Sequence, residues 1–113
     1  DDNFLEPYYP MSTYNTLHTS LTCPRCDADV EADVDCYFGY VNEMHDLKIG
    51  DRYPWRERVQ PQNGGSPEDG SVDGDGYMEC PRCHKDSFLR VIVREDIIVG
   101  VEPDPERRGH VPN

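Results

Sequence analysis

The sequence predicts a small, mainly β domain whose antiparallel sheet is stapled by a four-cysteine metal site. Three observations support this fold class. The tetrapeptide Cys-Pro-Arg-Cys occurs twice, at residues 23–26 and 80–83. Polar and apolar residues alternate with period two over residues 28–41, which is typical of a strand with one buried face. No segment shows the 3.6-residue period of an amphipathic helix.

Length and composition indicate a single domain with a low fraction of hydrophobic residues. The chain has 113 residues, and 35% of them are hydrophobic. Globular domains usually contain ~45–50% apolar residues, in a range that also counts glycine. Small domains with lean cores commonly recruit metals or disulfides. We therefore expect a bound metal to contribute to stability.

The formal net charge of −12 limits the classes of partner. An acidic protein repels the phosphate backbone of nucleic acids and attracts basic partners. A solvated acidic surface without a specific partner is the simpler interpretation of the same charge. No apolar run approaches the ~20 residues of a membrane-spanning helix. We expect no membrane partner, and we expect a protein partner rather than a nucleic acid.

Residues 1–20 are predicted to form an extended, aromatic-rich arm. They have neither a helical nor a strand period, and Pro7 and Pro10 disfavour a helix. The segment contains too many aromatic residues for a solvated linker, and Tyr8 and Tyr9 are candidate partner contacts. The arm is expected to pack either on its own domain or on a partner.

The alternation over residues 28–41 predicts the first long strand. Its apolar face includes Cys36, which we expect to pack in the core as a small hydrophobic residue. The opposite face carries four acidic residues, whose like charges favour a solvated face that discourages edge pairing. The same residues could instead dock Arg or Lys side chains of a partner. They are Asp29, Glu31, Asp33 and Asp35.

The middle of the chain is predicted to contain a short strand at residues 47–49 and a long loop at residues 60–76. The loop is rich in Gly, Pro, Asp and Ser and almost lacks apolar residues. Trp55 stands among arginines before this loop. It could contact a protein partner, stack on nucleic-acid bases or belong to the core, and we expect it to be substantially buried.

Two strongly β-forming segments near the C-terminus predict a hairpin. They span residues 87–93 and 97–101, and the polar pair at 95–96 is the expected turn. The predicted domain therefore covers residues 21–102. Residues 103–113 contain three prolines and no period, and they are predicted to form an irregular tail.

The repeated tetrapeptide is the strongest functional signal in the sequence. In C-x-x-C the two sulfurs lie on one side of a tight turn and supply two metal ligands, and proline stiffens the turn. A second such turn completes a tetrahedral shell of four thiolates. We therefore assign one structural zinc ion to Cys23, Cys26, Cys80 and Cys83.

Other uses of these cysteines are less well supported. A redox-active C-x-x-C needs a following helix, whereas strands are predicted after both motifs. Disulfides are the alternative for an extracellular chain, but paired C-x-x-C motifs favour a metal and a reducing, cytoplasmic location. His84 could act as a ligand only by displacing a better-placed thiolate. A full thiolate shell has no open position for water, and no nucleophile–base pair is evident, so we expect no enzymatic activity.

The two knuckles and their adjoining strands resemble a zinc ribbon, and their layout is also similar to that of rubredoxin, which holds iron. The resemblance covers neither the arm nor the loop. Asp27 and His84 stand after the knuckles, at positions where zinc ribbons commonly have glycine. The resemblance implies a zinc-ribbon-type sheet, iron as the alternative metal, and a protein or a nucleic acid as partner.

We therefore expect a non-enzymatic, zinc-stabilised binding or structural module that engages a protein partner through acidic and aromatic surfaces. A narrower version is an acidic inhibitor or immunity-type protein that covers a basic partner. One alternative is a nucleic-acid-binding zinc ribbon that uses Arg25, Arg82, Lys85 and Arg90. The other is a rubredoxin-like iron electron carrier.

Overall fold

The mainly β prediction is confirmed by a computed structural model, which describes residues 13–110 and contains one curled six-stranded sheet. The only helical segment in this range is the 3-10 turn Pro61–Asn63, and no helix there is long and apolar enough to cross a membrane. The order across the sheet is β3-β1-β2-β4-β5-β6. The strands are β1 (Asn15–Thr22), β2 (Asp29–Cys36), β3 (Asp46–Leu47), β4 (Val72–Glu79), β5 (Asp86–Arg94) and β6 (Ile97–Pro103).

Two long hairpins form most of the sheet, and each turns at one of the cysteine tetrapeptides. β1 and β2 are antiparallel throughout, and residues 23–26 lie in the connection between them. β4 and β5 are antiparallel, and residues 80–83 connect them. The predicted third hairpin is confirmed, because β5 and β6 pair around a turn at residues 95–96. Strand β3 departs from the antiparallel prediction, since it runs parallel to β1 over two residue pairs.

Strand β2 ends at Cys36, whereas the alternation predicted a strand that continues to residue 41. Gly39 turns the chain with a φ of 75°, and a Cβ there would lie 2.7 Å from the Pro54 carbonyl oxygen. The Tyr40 N–H donates to that same carbonyl at 3.0 Å. The alternating pattern therefore extends beyond the end of β2. The residues that follow Cys36 contact a loop, and the sequence did not predict that contact.

Strand β1 begins at Asn15, so residues 15–20, which the sequence assigned to the arm, belong to the sheet. The start of the strand was not predicted because Asn15 is polar, although it is fully buried and hydrogen-bonded in the fold. Its side-chain amide donates to the Tyr53 hydroxyl at 3.2 Å and accepts from the His45 N–H at 2.9 Å. The predicted arm at residues 1–12 lies outside the described residues.

Strand β4 begins inside the segment 60–76, which the sequence predicted to be a loop throughout. Gly74 and Gly76 favoured the loop prediction, yet both are buried on the inner face of the strand. A Cβ at Gly74 would collide with the ring of Phe38. This glycine therefore permits a close approach inside a strand instead of marking a turn.

The core lies on the inner face of the curled sheet. Cys36 is fully buried there, as predicted, and burial raises the pKa of its thiol to about 12. The Gly50 N–H donates to the Ile98 carbonyl at 2.8 Å, which joins the segment after β3 to β6. The fully or almost fully buried apolar side chains include Leu17, Ala32, Val34, Met78, Leu89, Val91, Val93 and Ile98.

The predicted tail starts later than expected, since Pro103 still belongs to β6. The following residues, 104–110, run back along β5. The Asp104 N–H donates to the Phe88 carbonyl at 3.1 Å, and the Phe88 N–H donates to the Arg108 carbonyl at 3.3 Å. Residues 104–110 therefore form no strand, and they pack on the outer face of the sheet.

Candidate metal centre and acidic face

The four predicted ligand cysteines meet where the two long hairpins end. Their sulfur atoms all lie within 4.8 Å of one another. The Sγ–Sγ distance is 3.9 Å both for Cys23 and Cys83 and for Cys26 and Cys80. Cys23 and Cys80 are fully buried, whereas Cys26 is exposed. Among residues 13–110 this is the one group of His, Cys, Asp or Glu side chains whose ligand atoms are grouped closely enough to hold a metal ion.

The two tetrapeptides form the same local turn. The N–H groups of Arg25 and Arg82 each donate to the sulfur of the first cysteine in their turn, at 3.3 Å. The residues after the turns, Asp27 and His84, adopt left-handed φ values of 61° and 64°. Asp and His tolerate this region better than most non-glycine residues. The absence of glycine at these positions is therefore compatible with the turn.

The spacing of the sulfurs fits a shared metal ion, and no two of these cysteines are joined by a disulfide. A tetrahedral ion with metal–sulfur bonds of about 2.3 Å separates its sulfurs by about 3.8 Å, close to the distances found here. A disulfide needs an S–S distance of about 2.05 Å, and all five cysteines are free. The cysteine cluster is therefore compatible with metal binding.

Burial and hydrogen bonds shift the two fully buried cysteines of the cluster in opposite directions. Burial raises the pKa of the Cys23 thiol to about 12, against two backbone hydrogen bonds. Burial of Cys80 also favours its neutral thiol, but the N–H groups of Cys83 and Arg82 and two neighbouring thiols lower the pKa of the Cys80 thiol to about 7. The Cys83 N–H lies 3.4 Å from the Cys80 sulfur. A thiol with a lowered pKa gives up its proton to a metal more readily.

The cluster lies beyond the point at which backbone pairing between the two hairpins stops. β2 and β4 are joined by only two residue pairs in the described sheet, Asp35–Tyr77 and Cys36–Gly76. Beyond these pairs the ladder does not continue toward the tetrapeptides. The cysteines therefore bring the hairpin ends together, and a bound ion would hold these ends in place.

A buried ion pair, which the sequence did not predict, connects the first tetrapeptide to the second hairpin. The side chains of Arg25 and Asp86 are 1% and 5% exposed, and Nη1 of Arg25 lies 3.6 Å from a carboxylate oxygen of Asp86. The same nitrogen donates to the Asp86 carbonyl at 2.5 Å. The Asp86 carboxylate also accepts from the Tyr77 hydroxyl at 2.7 Å. No periodicity or motif in the sequence distinguishes Arg25 from Arg82.

The predicted acidic residues lie together on the outer face of β2, and we call them the acidic face (Asp29, Glu31, Asp33 and Asp35). The first three are exposed, whereas Asp35 is half-buried. Burial raises the pKa of the Asp35 carboxyl, and the charge of Asp33 raises it further, against a lowering by the Tyr37 hydroxyl. The alternation therefore placed these four side chains on the correct face.

His18 on β1 connects the acidic face to strand β3. Its Nδ1 lies 2.8 Å from the Asp33 carboxylate and its Nε2 lies 2.9 Å from that of Asp46. The hydrogen bonds to Asp46 and Asp33 raise the pKa of His18. The Asp33 carboxylate of the acidic face therefore contacts an imidazole whose charge depends on pH.

A cavity of about 210 Å³ lies next to the acidic face on the same side of the sheet. Tyr77 pairs with Asp35 across β2 and β4, and its ring centroid lies 5.1 Å from that of Phe88. The ring of His110 lies 5.2 Å from Phe88. We call this the aromatic cavity, and its lining residues include Tyr37, Asp75, Tyr77, Phe88, Arg107 and His110.

Sequence reasoning missed the aromatic cavity, although one signal was present. Tyr37 follows the acidic residues on the polar side of the alternation, so period two places it on the outer face. Tyr77 and Phe88 become neighbours only because the register of β4 and β5 places them opposite each other. That register depends on pairing between strands, which periodicity within one strand does not specify.

The remaining candidate contacts lie elsewhere. Trp55 is partly buried, and its ring packs at 4.8 Å from Tyr53 and 6.1 Å from Phe38. Its indole N–H donates to the Asp96 carboxylate at 2.9 Å. Trp55 therefore belongs to a separate aromatic cluster. Tyr8 and Tyr9 lie outside the described residues.

Comparisons with known proteins do not assign the chain to a family. No protein family, no curated protein and no solved structure matches the chain. The candidate function therefore rests on the geometry of the cysteine cluster and of the outer face.

Proposed function

We propose that this protein is a non-enzymatic, zinc-stabilised module that binds a basic protein partner through its acidic face and the adjoining aromatic cavity. The observation that carries this proposal is the adjacency of four outward carboxyl groups and several aromatic rings on one side of the sheet. Carboxylates steer basic partners, and Tyr and Phe are enriched in protein interfaces.

Zinc is the metal that we propose for the cysteine cluster. Four thiolates form a common ligand set for structural zinc, and a filled shell has no open position for substrate. Elemental analysis of the purified protein is expected to give about one zinc per chain and a colourless sample. A red protein that carries iron would instead support the rubredoxin-like electron carrier.

The partner proposal is tested with a variant that neutralises three exposed residues of the acidic face, Asp29→Asn, Glu31→Gln and Asp33→Asn. Wild-type protein on a resin is expected to retain basic proteins at about 0.05 M salt and to release them at about 0.5 M, since the Debye length falls from about 14 Å to about 4 Å over this range. The triple variant is expected to retain far less of the same proteins.

The matched control changes three exposed glutamates elsewhere, with the same change in net charge. These are Glu57→Gln, Glu68→Gln and Glu102→Gln. If the control loses the captured proteins to the same extent, binding reflects net charge alone and the proposed face is wrong. Strong salt dependence together with loss in the first variant only would support the narrower inhibitor or immunity-type function.

A nucleic-acid-binding ribbon is the second candidate, and the contacts of two of its arginines weigh against it, although Arg82 is exposed. Arg25 is buried against Asp86, and Arg90 lies 3.7 Å from the carboxylate of Asp104. Arginines held by carboxylates are poorly placed for phosphates. A fluorescence anisotropy titration at low salt, with single-stranded and duplex oligonucleotides, is expected to show no binding.

A further inference from the structure

The aromatic cavity has walls suited to a planar cation. The rings of Tyr77 and Phe88 are tilted by 59°, and His110 meets Phe88 nearly edge-on at 77°. The Tyr77 hydroxyl is held by Asp86, so this ring is fixed before any ligand arrives. The carboxylate of Asp75 supplies a negative charge among the lining residues.

The chain itself places a guanidinium group at this site. The Arg107 guanidinium carbon lies 4.5 Å from the centroid of the Phe88 ring. Its Nη2 donates to the Asp75 carboxylate at 3.1 Å, and its Nε donates to Asp104 at 3.0 Å. Arg107 is nevertheless 44% exposed, so it lies at the opening of the cavity. The lining residues can therefore hold a guanidinium by ring contact and by carboxylate contact together.

We infer that the aromatic cavity receives one arginine side chain of the basic protein partner, which takes the contacts with Phe88 and Asp75 that Arg107 makes in the free protein. This inference rests on the proposed function, and it assigns the residue that the partner inserts. The net charge of −12 and the adjoining acidic face favour a cationic occupant.

The size of the cavity favours a side chain over a small organic ligand. Pockets for such ligands usually have volumes of ~300–1,000 Å³, whereas this cavity has about 210 Å³. Arginine suits the walls better than lysine, because its planar guanidinium is weakly hydrated, stacks on rings and bonds to carboxylates through two nitrogens.

The inference is tested with two short synthetic peptides that differ in one side chain. One carries a single arginine between glycine and serine residues, and the other carries citrulline, its uncharged counterpart, at the same place. Titration of the arginine peptide into isotopically labelled, zinc-loaded full-length protein is expected to shift the NMR signals of Tyr37, Gly76 and Tyr77 in a saturable manner. The citrulline peptide is expected to leave these signals unchanged.

Three variants separate the aromatic cavity from general charge attraction. Asp75→Asn removes the carboxylate of the cavity and is expected to weaken binding of the arginine peptide about fivefold. Asp73→Asn is the matched control, because it removes the same charge from the same face of β4, and it is expected to bind like the wild type. Arg107→Gln removes the internal competitor and is expected to strengthen binding about threefold.

Three results would overturn the inference: equal shifts with citrulline, equal affinities of the Asp75 and Asp73 variants, or no gain in the Arg107 variant. These results leave the proposed function standing if the partner is still lost from the triple variant of the acidic face. If wild-type protein retains no basic protein at low salt, the proposed function itself fails.

Discussion

Arg25 and Arg82 occupy equivalent positions in identical tetrapeptides, yet their environments are opposite. Arg25 is buried and paired with Asp86, whereas Arg82 is exposed. Removing one member of a buried ion pair leaves an uncompensated charge, which typically costs ~3–5 kcal/mol. The pair therefore adds a second, metal-independent connection between the hairpins.

Replacement of each arginine by alanine tests this difference directly. Arg25→Ala is expected to lower the free energy of unfolding by ~3–5 kcal/mol. Arg82→Ala is expected to change it by no more than about 0.5 kcal/mol, as is usual for exposed sites. Urea unfolding of the two zinc-loaded variants measures both effects, and similar losses in the two would contradict a structural role for the buried pair.

His18 is the residue for which we expect a defined pH dependence. Its pKa in the folded protein is raised by Asp46 and Asp33 above the ordinary value of 6.5. The stabilisation by protonated His18 is therefore fully present below pH 6.5, and it is lost as the pH rises through the folded-state pKa. His18 is 45% exposed, so salt should reduce the effect.

The measurement compares unfolding of the wild type with that of His18→Gln at about pH 5.5 and about pH 8.5. The stability advantage of the wild type is expected to be larger at the acidic pH. An advantage that does not change between the two values would show that the bridging contacts do not depend on the charge of the imidazole.

At the scale of single elements, the presence of a strand was easier to predict than the residues at which the strand begins and ends. The alternation identified β2 and its acidic face because period two operates within one strand. The glycine-rich composition of residues 60–76 concealed the start of β4, because Gly74 allows a close contact with Phe38 on a distant segment. The start of β1 was also missed, because Asn15 is a polar residue that is buried and hydrogen-bonded to residues far along the chain.

Two glycine substitutions test the close packing of β4. A Cβ at Gly74 would collide with Phe38, whereas a Cβ at Gly100 on β6 meets no atom within 4 Å. Gly74→Ala is expected to lower the free energy of unfolding by ~1–3 kcal/mol. Gly100→Ala is expected to be neutral or to raise it by up to ~1 kcal/mol, because alanine restricts the unfolded chain. Thermal and urea unfolding report both, and equal effects would refute the steric explanation.

At the scale of the whole molecule, a metal ion in the cysteine cluster would compensate for a short ladder between the two hairpins. β2 and β4 share two residue pairs, and among the described residues the four sulfurs and the pair of Arg25 and Asp86 bring the hairpin ends together. Structural metal sites in small domains contribute on the order of 10 kcal/mol to folding. That value is comparable to the whole stability of a typical domain, which is ~5–15 kcal/mol.

Cys80→Ser is therefore expected to lose the metal and to unfold most of the protein at room temperature. Cys36→Ala removes a buried sulfur outside the cluster and is expected to cost about 1 kcal/mol while the metal content stays unchanged. Elemental analysis and circular dichroism measure both variants. Unchanged thermal stability of Cys80→Ser would show that the cluster does not hold the fold together.

The sequence alone determined the features that arise within a few neighbouring residues: the mainly β class, the two cysteine turns, the hairpin at residues 95–96 and the outward row of acidic side chains. Motifs and period-two alternation act over such short distances. Only the tertiary structure decided that Arg25 is buried, that Asn15 lies in the core, and that aromatic side chains from distant segments surround one cavity beside the acidic face. The physical reason is strand register, which depends on hydrogen bonds and packing between segments far apart in the chain.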